Sequence, residues 1–266
     1  MSDNAQHSMD TSSGYITVSD VSKTYASASG DVNAIDNVSL AVKPGEFVSI
    51  LGPSGCGKST LLMAIAGLES VTRGEITVAG APVTAPLTDL GIVFQKDALL
   101  PWRSVRRNVL LQVELRRLKP EAFEHRCDEL LAAVGMSEFD SRYPAELSGG
   151  MRQRVSICRA LVHDPPLLLM DEPFAALDAM TREKMSRDLE ALWERNQCTV
   201  VFVTHSIEEA LTLSDRIILM SPRPSRIARE FIVDLPRPRD FSVRESSAFQ
   251  DLLGDIRHSL HELGAV

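Results

Sequence analysis

No stretch of this 266-residue chain approaches the roughly 20 consecutive apolar residues needed to cross a bilayer, so membrane association has to come through a partner. The opening MSDNAQHSMDTSSG is polar and lacks the apolar core of a secretory signal, which points to a protein made and kept in the cytosol. Cysteines are few and scattered (Cys56, Cys127, Cys158, Cys198) with no CxxC pair, so reduced thiols in packed positions are expected rather than disulfides or a zinc site. Basic residues are outnumbered: 28 Lys and Arg against 36 Asp and Glu give a formal net charge of −8. A protein that grips nucleic acid non-specifically needs the opposite balance, and no such partner is expected. There is no internal repeat. What remains is ordinary globular composition, 44% apolar and 24% charged, long enough to bury a substantial core.

Residues 1–14 read as a disordered tail. Short β-type runs follow: YITVSDVSKTY, VSLAV and EFVSILG, an antiparallel layer leading into a buried strand. A helix over LLMAIAGL comes next, then strands at EITVAG and LGIVF. From Val105 to Leu161 the spacing turns helical, with interruptions at Pro120, Gly135 and Pro144, and a helical lobe is expected at about 96–160. Beyond it, LLLMDE, TVVFVTH and RIILMS alternate with the helical patterns TREKMSRDLEALWERN and SIEEALTLS. Near-continuous apolar strands between helices indicate a parallel sheet covered on both faces. A main domain over 15–235 is expected, followed at 236–266 by a linker, LPRPRD, and a helix around AFQDLLGDIRHSLHEL.

Gly52-Pro53-Ser54-Gly55-Cys56-Gly57-Lys58-Ser59 fits G-x-x-x-x-G-K-[ST], follows a strand pattern and opens a helix. Such a loop curls its N–H groups toward phosphate oxygens, and the helix N-terminus adds positive potential. Lys58 is placed to hold β- and γ-phosphates, Ser59 to ligate Mg²⁺, and Thr60 to complete the loop. A chance match in a chain this long has a probability on the order of 1%. Cys56 reads as a small filler whose thiol is open to modification when nucleotide is absent. LLLMDE ends an apolar strand in adjacent carboxylates at the sheet edge where α/β ligands bind. Read alone it is a strand stop. Beside the phosphate loop, Asp171 is placed to hold Mg²⁺ and Glu172 to orient and deprotonate water.

In LSGGMRQR, Leu147–Arg154, Ser148 is set to cap a helix opening on Gly149 and Gly150, a second anion-binding terminus. With the two motifs above, it resembles the signature of the ABC ATPase family, with Met151 in place of the usual Gln and Gln153 two positions on. The resemblance covers roughly 15–235. It implies a P-loop NTPase fold: a RecA-like α/β core with an N-terminal antiparallel β-layer and an inserted helical lobe. It implies ATP and Mg²⁺ as cofactors and a head-to-tail homodimer, each ATP lying between one phosphate loop and the other chain's Ser148, Gly149, Gly150 and Gln153. Tyr25 matches the aromatic that stacks on adenine, although a lone strand Tyr is more often core. Gln95 matches the glutamine at Mg²⁺, and Asp178 in AALD matches the loop crossing the dimer interface. His205 matches the histidine at the γ-phosphate, although an isolated His after a strand is usually structural.

KDALLPWRSVRRNV and RIILMSPRPSRIAREFIVDLPRPRD resemble the ATPase subunits of nitrate/sulfonate/taurine-type importers. That likeness implies permease subunits, an extracytoplasmic solute-binding protein and a peripheral place on the cytoplasmic face of the plasma (inner) membrane. Leu-Leu-Pro-Trp lies where the family receives a permease helix; an ordinary turn with a packing aromatic is the other reading. A nucleic-acid repair or translation ATPase, an exporter motor and a silent regulatory subunit are the rivals. The first lacks its coiled coil or second cassette here, and intact Lys58, Glu172 and His205 argue against the last. The solute itself is not readable: aromatic carboxylates or vitamin precursors stand beside small oxyanions.

Overall fold

In the computed structural model the described residues are 14–26, 30–175 and 177–264, so the tail expected up to Gly14 lies outside them save for Gly14 itself. Strand β1 (Ile16–Tyr25) buries Ile16 and Val18, then slips register at Asp20, whose φ is +50°, and buries Val21 and Lys23. The irregularity resets the period-two alternation and puts Tyr25 on the face of Val21 and Lys23, at the exposed end of the strand with Lys23 Nζ 4.8 Å from its ring. β1 pairs antiparallel with β2 (Val32–Val42) and β4 (Arg73–Val78), and β5 (Ala81–Pro82) closes a sheet of order β2-β1-β4-β5.

The second sheet has the order β10-β9-β3-β8-β7-β6. Its strands are β3 (Phe47–Leu51), β6 (Gly91–Val93), β7 (Leu167–Asp171), β8 (Thr199–Thr204), β9 (Arg216–Met220) and β10 (Ile227–Ile232). Every residue of β3, β7, β8 and β9 is buried, as parallel strands covered on both faces require. β10 alone runs antiparallel, on the β9 edge, and the sequence reading gave it no strand. Helix α1 (Lys58–Ile65) lies against this sheet, and a core of Val48, Ile50, Leu61 and Ile65 joins it to the antiparallel layer.

The inserted region holds α2 (Val105–Val109), α3 (Leu111–Leu115), α4 (Glu124–Ala133) and α5 (Gly149–Leu161), with 3-10 turns opening at Pro120 and Pro144. α4 ends before Gly135, whose φ is +67°. Residues 96–104 carry no helix. They form a turn fixed by buried Asn108, whose amide accepts from Leu100 N at 2.8 Å and donates to Leu100 O, Arg103 O and Ser104 O at 2.9–3.1 Å.

α6 (Ala179–Asn196), α7 (Ile207–Leu213), α8 (Phe241–Arg244) and α9 (Ser247–Glu262) complete the chain. α9 buries Phe249, Leu253, Ile256 and Leu260 in one core with α7, β9 and β10. The LPRPRD stretch is anchored rather than a free linker. Arg237 stacks on Trp193 at 4.3 Å and pairs with Glu190 and Asp215. Arg239 is 1% exposed inside a cage of carbonyls from Leu211, Ser214, Val233 and Leu235. Among the described residues no helix is long and apolar enough to cross a membrane.

Candidate functional site

The site forms where β3, β7, β8 and β9 all point their carboxyl ends, the edge at which open α/β sheets bind ligands. After Leu51 the chain curls through Gly52–Gly57 into α1. Gly57, at φ +114°, is the residue before the helix, and a Cβ there would lie 2.9 Å from Ala34 O. Only glycine satisfies both demands. Lys58 folds back over the loop, donating to Gly52 O and Pro53 O at 2.9 Å each. Its ammonium thus stands where phosphate oxygens would replace those carbonyls. Pro53, Ser54 and Gly55 form the open crest of the loop.

Cys56 departs from expectation. It is 2% exposed, packs beneath the loop with the inter-sheet core, and burial pushes its thiol pKa up. A buried, protonated thiol is a poor target for modification, so the expected reactivity is withdrawn. Its side chain supports the loop from below.

Ser59 Oγ donates to Asp171 Oδ1 at 2.8 Å. Burial raises the Asp171 carboxyl pKa, repulsion from Glu172 adds to it, and the Ser59 bond opposes. Hard oxygen donors set beside a carboxylate that is costly to ionise fit a small divalent cation such as Mg²⁺. Among the described residues no cluster of three His, Cys, Asp or Glu side chains suits a metal.

Glu172 follows β7 in the left-handed region, φ +44°, with its N–H bonded to Val203 O at 2.9 Å. That conformation costs a non-glycine residue about 1–2 kcal/mol. The turn sets its carboxylate 3.3 Å from His205 Nδ1, 3.4 Å from Gln95 Nε2 and 3.9 Å from Lys58 Nζ. So the expected catalytic and sensing residues converge on one carboxylate. Tyr25 stands across the mouth, its hydroxyl 3.4 Å from Thr60 Oγ1. Tyr25, Thr60, Lys58, Ser59 and Glu172 line a common cavity of about 200 Å³.

Ser148 caps α5, its hydroxyl accepting from Met151 N at 3.3 Å, and with Gly149 it is exposed. Ser148, Gly149 and Gly150 do not line the Lys58 cavity, so the N-termini of α1 and α5 lie at separate places on the chain. Asp178 is exposed and caps α6 through Thr181 N at 3.0 Å. Gln153 differs from its signature neighbours: it is 5% exposed, with Nε2 unpaired among the described residues. One helical turn past the cap, it faces inward, which takes it out of direct reach of a partner's nucleotide.

Two residues escaped the sequence reading. Glu209 accepts from Thr204 Oγ1 at 2.5 Å and lies 3.4 Å from Arg182 Nε, while Arg182 donates to Leu177 O at 3.0 Å. This ties the residue before His205 to the loop carrying Asp178. Only the folded arrangement reveals it, because Glu209 sits in a helix whose sequence shows a charge and not its burial.

A family model described as ABC transporter matches residues 35–175. The chain belongs to the ABC transporter family. It is 48% identical to the taurine import ATP-binding protein TauB of Rhizobium johnstonii, over 86% of this chain and 90% of that one. It is 43% identical to the nitrate import ATP-binding protein NrtD of Synechocystis sp., over 84% of each. The solved dimeric cassette MJ0796, in a post-hydrolysis state bound to ADP and Pi, superposes with a TM-score of 0.74 at 36% identity, over 82% of this chain and 98% of that one. The fold is that of a P-loop ABC ATPase, with the β-layer and helical subdomain described above, and the cassette is an ATP-hydrolysing enzyme.

Proposed function

We propose that this cassette energises an importer for a small oxyanion such as a sulfonate, taurine or nitrate, acting as a homodimer beneath two permease subunits supplied by an extracytoplasmic binding protein. The observation that carries the ATPase part is the convergence of Lys58, Gln95 and His205 on Glu172, beside the Ser59–Asp171 pair. The solute class rests on the names of the relatives, for taurine, nitrate and aliphatic sulfonates. Its place would be the cytoplasmic face of the membrane, reached through the permease.

In this reading the phosphate loop and Lys58 hold the β- and γ-phosphates while Tyr25 stacks on adenine. Mg²⁺, held by Ser59 and Asp171 with Gln95 nearby, would neutralise charge on the phosphates. Glu172 accepts a proton from water, whose oxygen attacks the γ-phosphorus as the bond to the β-phosphate oxygen breaks, giving ADP and phosphate. His205 orients that water and the γ-phosphate. Ser148 and Gly149 close on the partner's nucleotide, with Asp178 at the crossing.

The LLPW segment supports permease docking. Trp102 is 71% exposed, which favours a docking role over a packing one, and Asn108 holds the turn that presents it. The segment is coupled to the signature helix, since Arg152 pairs with Asp97 at 2.8 Å and Arg159 donates to Asp97 O and Ala98 O at 2.8 Å. Reconstitution in proteoliposomes with its own permease and binding protein tests the proposal. ATP-dependent uptake of taurine, an alkanesulfonate or nitrate is the expected result. Uptake confined to an aromatic carboxylate or vitamin precursor would move the solute class, and outward transport would overturn the importer reading.

A further inference from the structure

The turn between β9 and β10 reaches the nucleotide cavity, and its sequence Ser221-Pro-Arg-Pro-Ser-Arg226 lies outside the phosphate loop, the Asp171-Glu172 edge and the signature. The turn is fastened to the body on two sides. Ser225 donates from N and Oγ to Ala34 O at 3.2 and 3.1 Å, and Asp36 N donates to Ser225 O at 2.9 Å. Arg226 Nε pairs with Asp36 at 3.0 Å, and Ser221 Oγ accepts from Arg226 N at 3.0 Å. The backbone flanking Arg223 is therefore held in place.

The Arg223 side chain is not. It is exposed and makes no hydrogen bond or ion pair among the described residues, whereas Arg226, three residues on, pairs within the chain. Yet it is directed at a defined place. Its Nη2 lies 3.0 Å from the point where a Cβ on Gly55 would sit, and it lines the same cavity as Tyr25, Lys58, Ser59 and Thr60. In that cavity Lys58 is the other cation, and it already bonds two carbonyls of its own loop. A nucleoside triphosphate brings more negative charge than one ammonium and a divalent ion neutralise. A guanidinium offers a planar fork that matches two phosphate oxygens.

We infer that Arg223 is a ligand of the nucleotide's phosphate chain, a contact supplied by the β9–β10 turn in addition to the phosphate loop. This rests on the reading of the cavity as the ATP site. With its backbone anchored beforehand, Arg223 loses only side-chain freedom when it binds, so most of the charge-assisted contact is retained as affinity.

The test is equilibrium binding of Mg-ATP to the full chain, by displacement of a fluorescent ATP analogue, for the wild type, Arg223→Ala, Arg223→Glu and Lys58→Ala. The melting temperature of each nucleotide-free protein is read alongside. The expected result is about a tenfold loss of ATP affinity for Arg223→Ala and a larger one for Arg223→Glu. Nucleotide-free melting should be unchanged, because Arg223 has no hydrogen-bond or ion-pair partner to lose among the described residues. In steady-state assays KM for ATP should rise while kcat is nearly kept, the mark of lost ground-state binding. Affinities within twofold of wild type for both variants overturn the assignment and leave the ATP site intact. A loss accompanied by lower nucleotide-free melting overturns it in favour of a packing role. A wild-type chain that binds no Mg-ATP overturns the nucleotide reading and this inference together.

Discussion

Glu172 Oε2 lies 3.3 Å from His205 Nδ1, across the gap between the ends of β7 and β8. Regular strand geometry would not aim Glu172 there; the left-handed backbone at φ +44° does. The strain and the contact together support the proposal that this carboxylate is the base. Glu172→Gln keeps the shape and loses the proton acceptor. Turnover should fall by about 10²–10⁴ while ATP still binds, and ATP should accumulate a dimer on size-exclusion chromatography. Near-normal turnover would remove Glu172 from this role.

Asp171 gives a prediction in which stability and function part. Its folded pKa is raised, so the ionised carboxyl opposes folding at neutral pH, and that cost fades as pH falls toward the unfolded carboxylate range. Asp171→Asn keeps an acceptor for Ser59 without the charge. The nucleotide-free variant should melt higher than wild type at pH 7, by on the order of 2 °C, with the gap narrowing toward pH 4. Mg-dependent hydrolysis should be lost. A variant that melts lower at pH 7 would show that the charge is already compensated.

Arg239 concerns the C-terminal segment. Burial pulls its guanidinium pKa down to about 10, and its donors satisfy carbonyls of α7 and of the stretch after β10. Arg239→Leu fills part of the volume and leaves those carbonyls unpaired. Urea denaturation of the nucleotide-free chain should show a loss of about 2 kcal/mol, the cost of acceptors left buried without donors. A loss below about 0.5 kcal/mol would mean that water replaces the guanidinium.

Trp102→Ala should spare the basal ATPase of the isolated chain, since the ring is largely exposed and does not line the Lys58 cavity. Co-purification with the permease should weaken, as expected for an aromatic anchor. Equal loss of basal ATPase and folding would assign the ring to packing.

The parts legible in the sequence share a physical reason. β3, β7, β8 and β9 are buried on both faces, so each appears as an apolar run, and the loop chemistry at their ends is fixed by residue type. β10 was not legible because it is an edge strand in which Arg229 bonds Ser259 and Glu230 pairs with Arg216, so Phe231 is buried without an apolar run around it. Arg239 and Gln153 were misjudged for the same cause. A polar residue's burial is decided by elements distant in sequence, and the local pattern around each is that of a solvated segment. Cys56 was placed in the right loop, but the side of the loop it faces depends on the packing of the two sheets.

The central claim is that Lys58 and Ser148 act on one nucleotide from two chains. Lys58→Ala removes a phosphate ligand, and Ser148→Arg drives a bulky side chain into the opposing helix terminus. Each variant alone should fail to trap nucleotide with vanadate. A mixed dimer combines both lesions at one interface and restores an intact phosphate loop facing an intact signature at the other. Vanadate trapping should therefore recover on mixing. No recovery, with both variants folded and the mixed dimer demonstrably formed, would contradict the shared site.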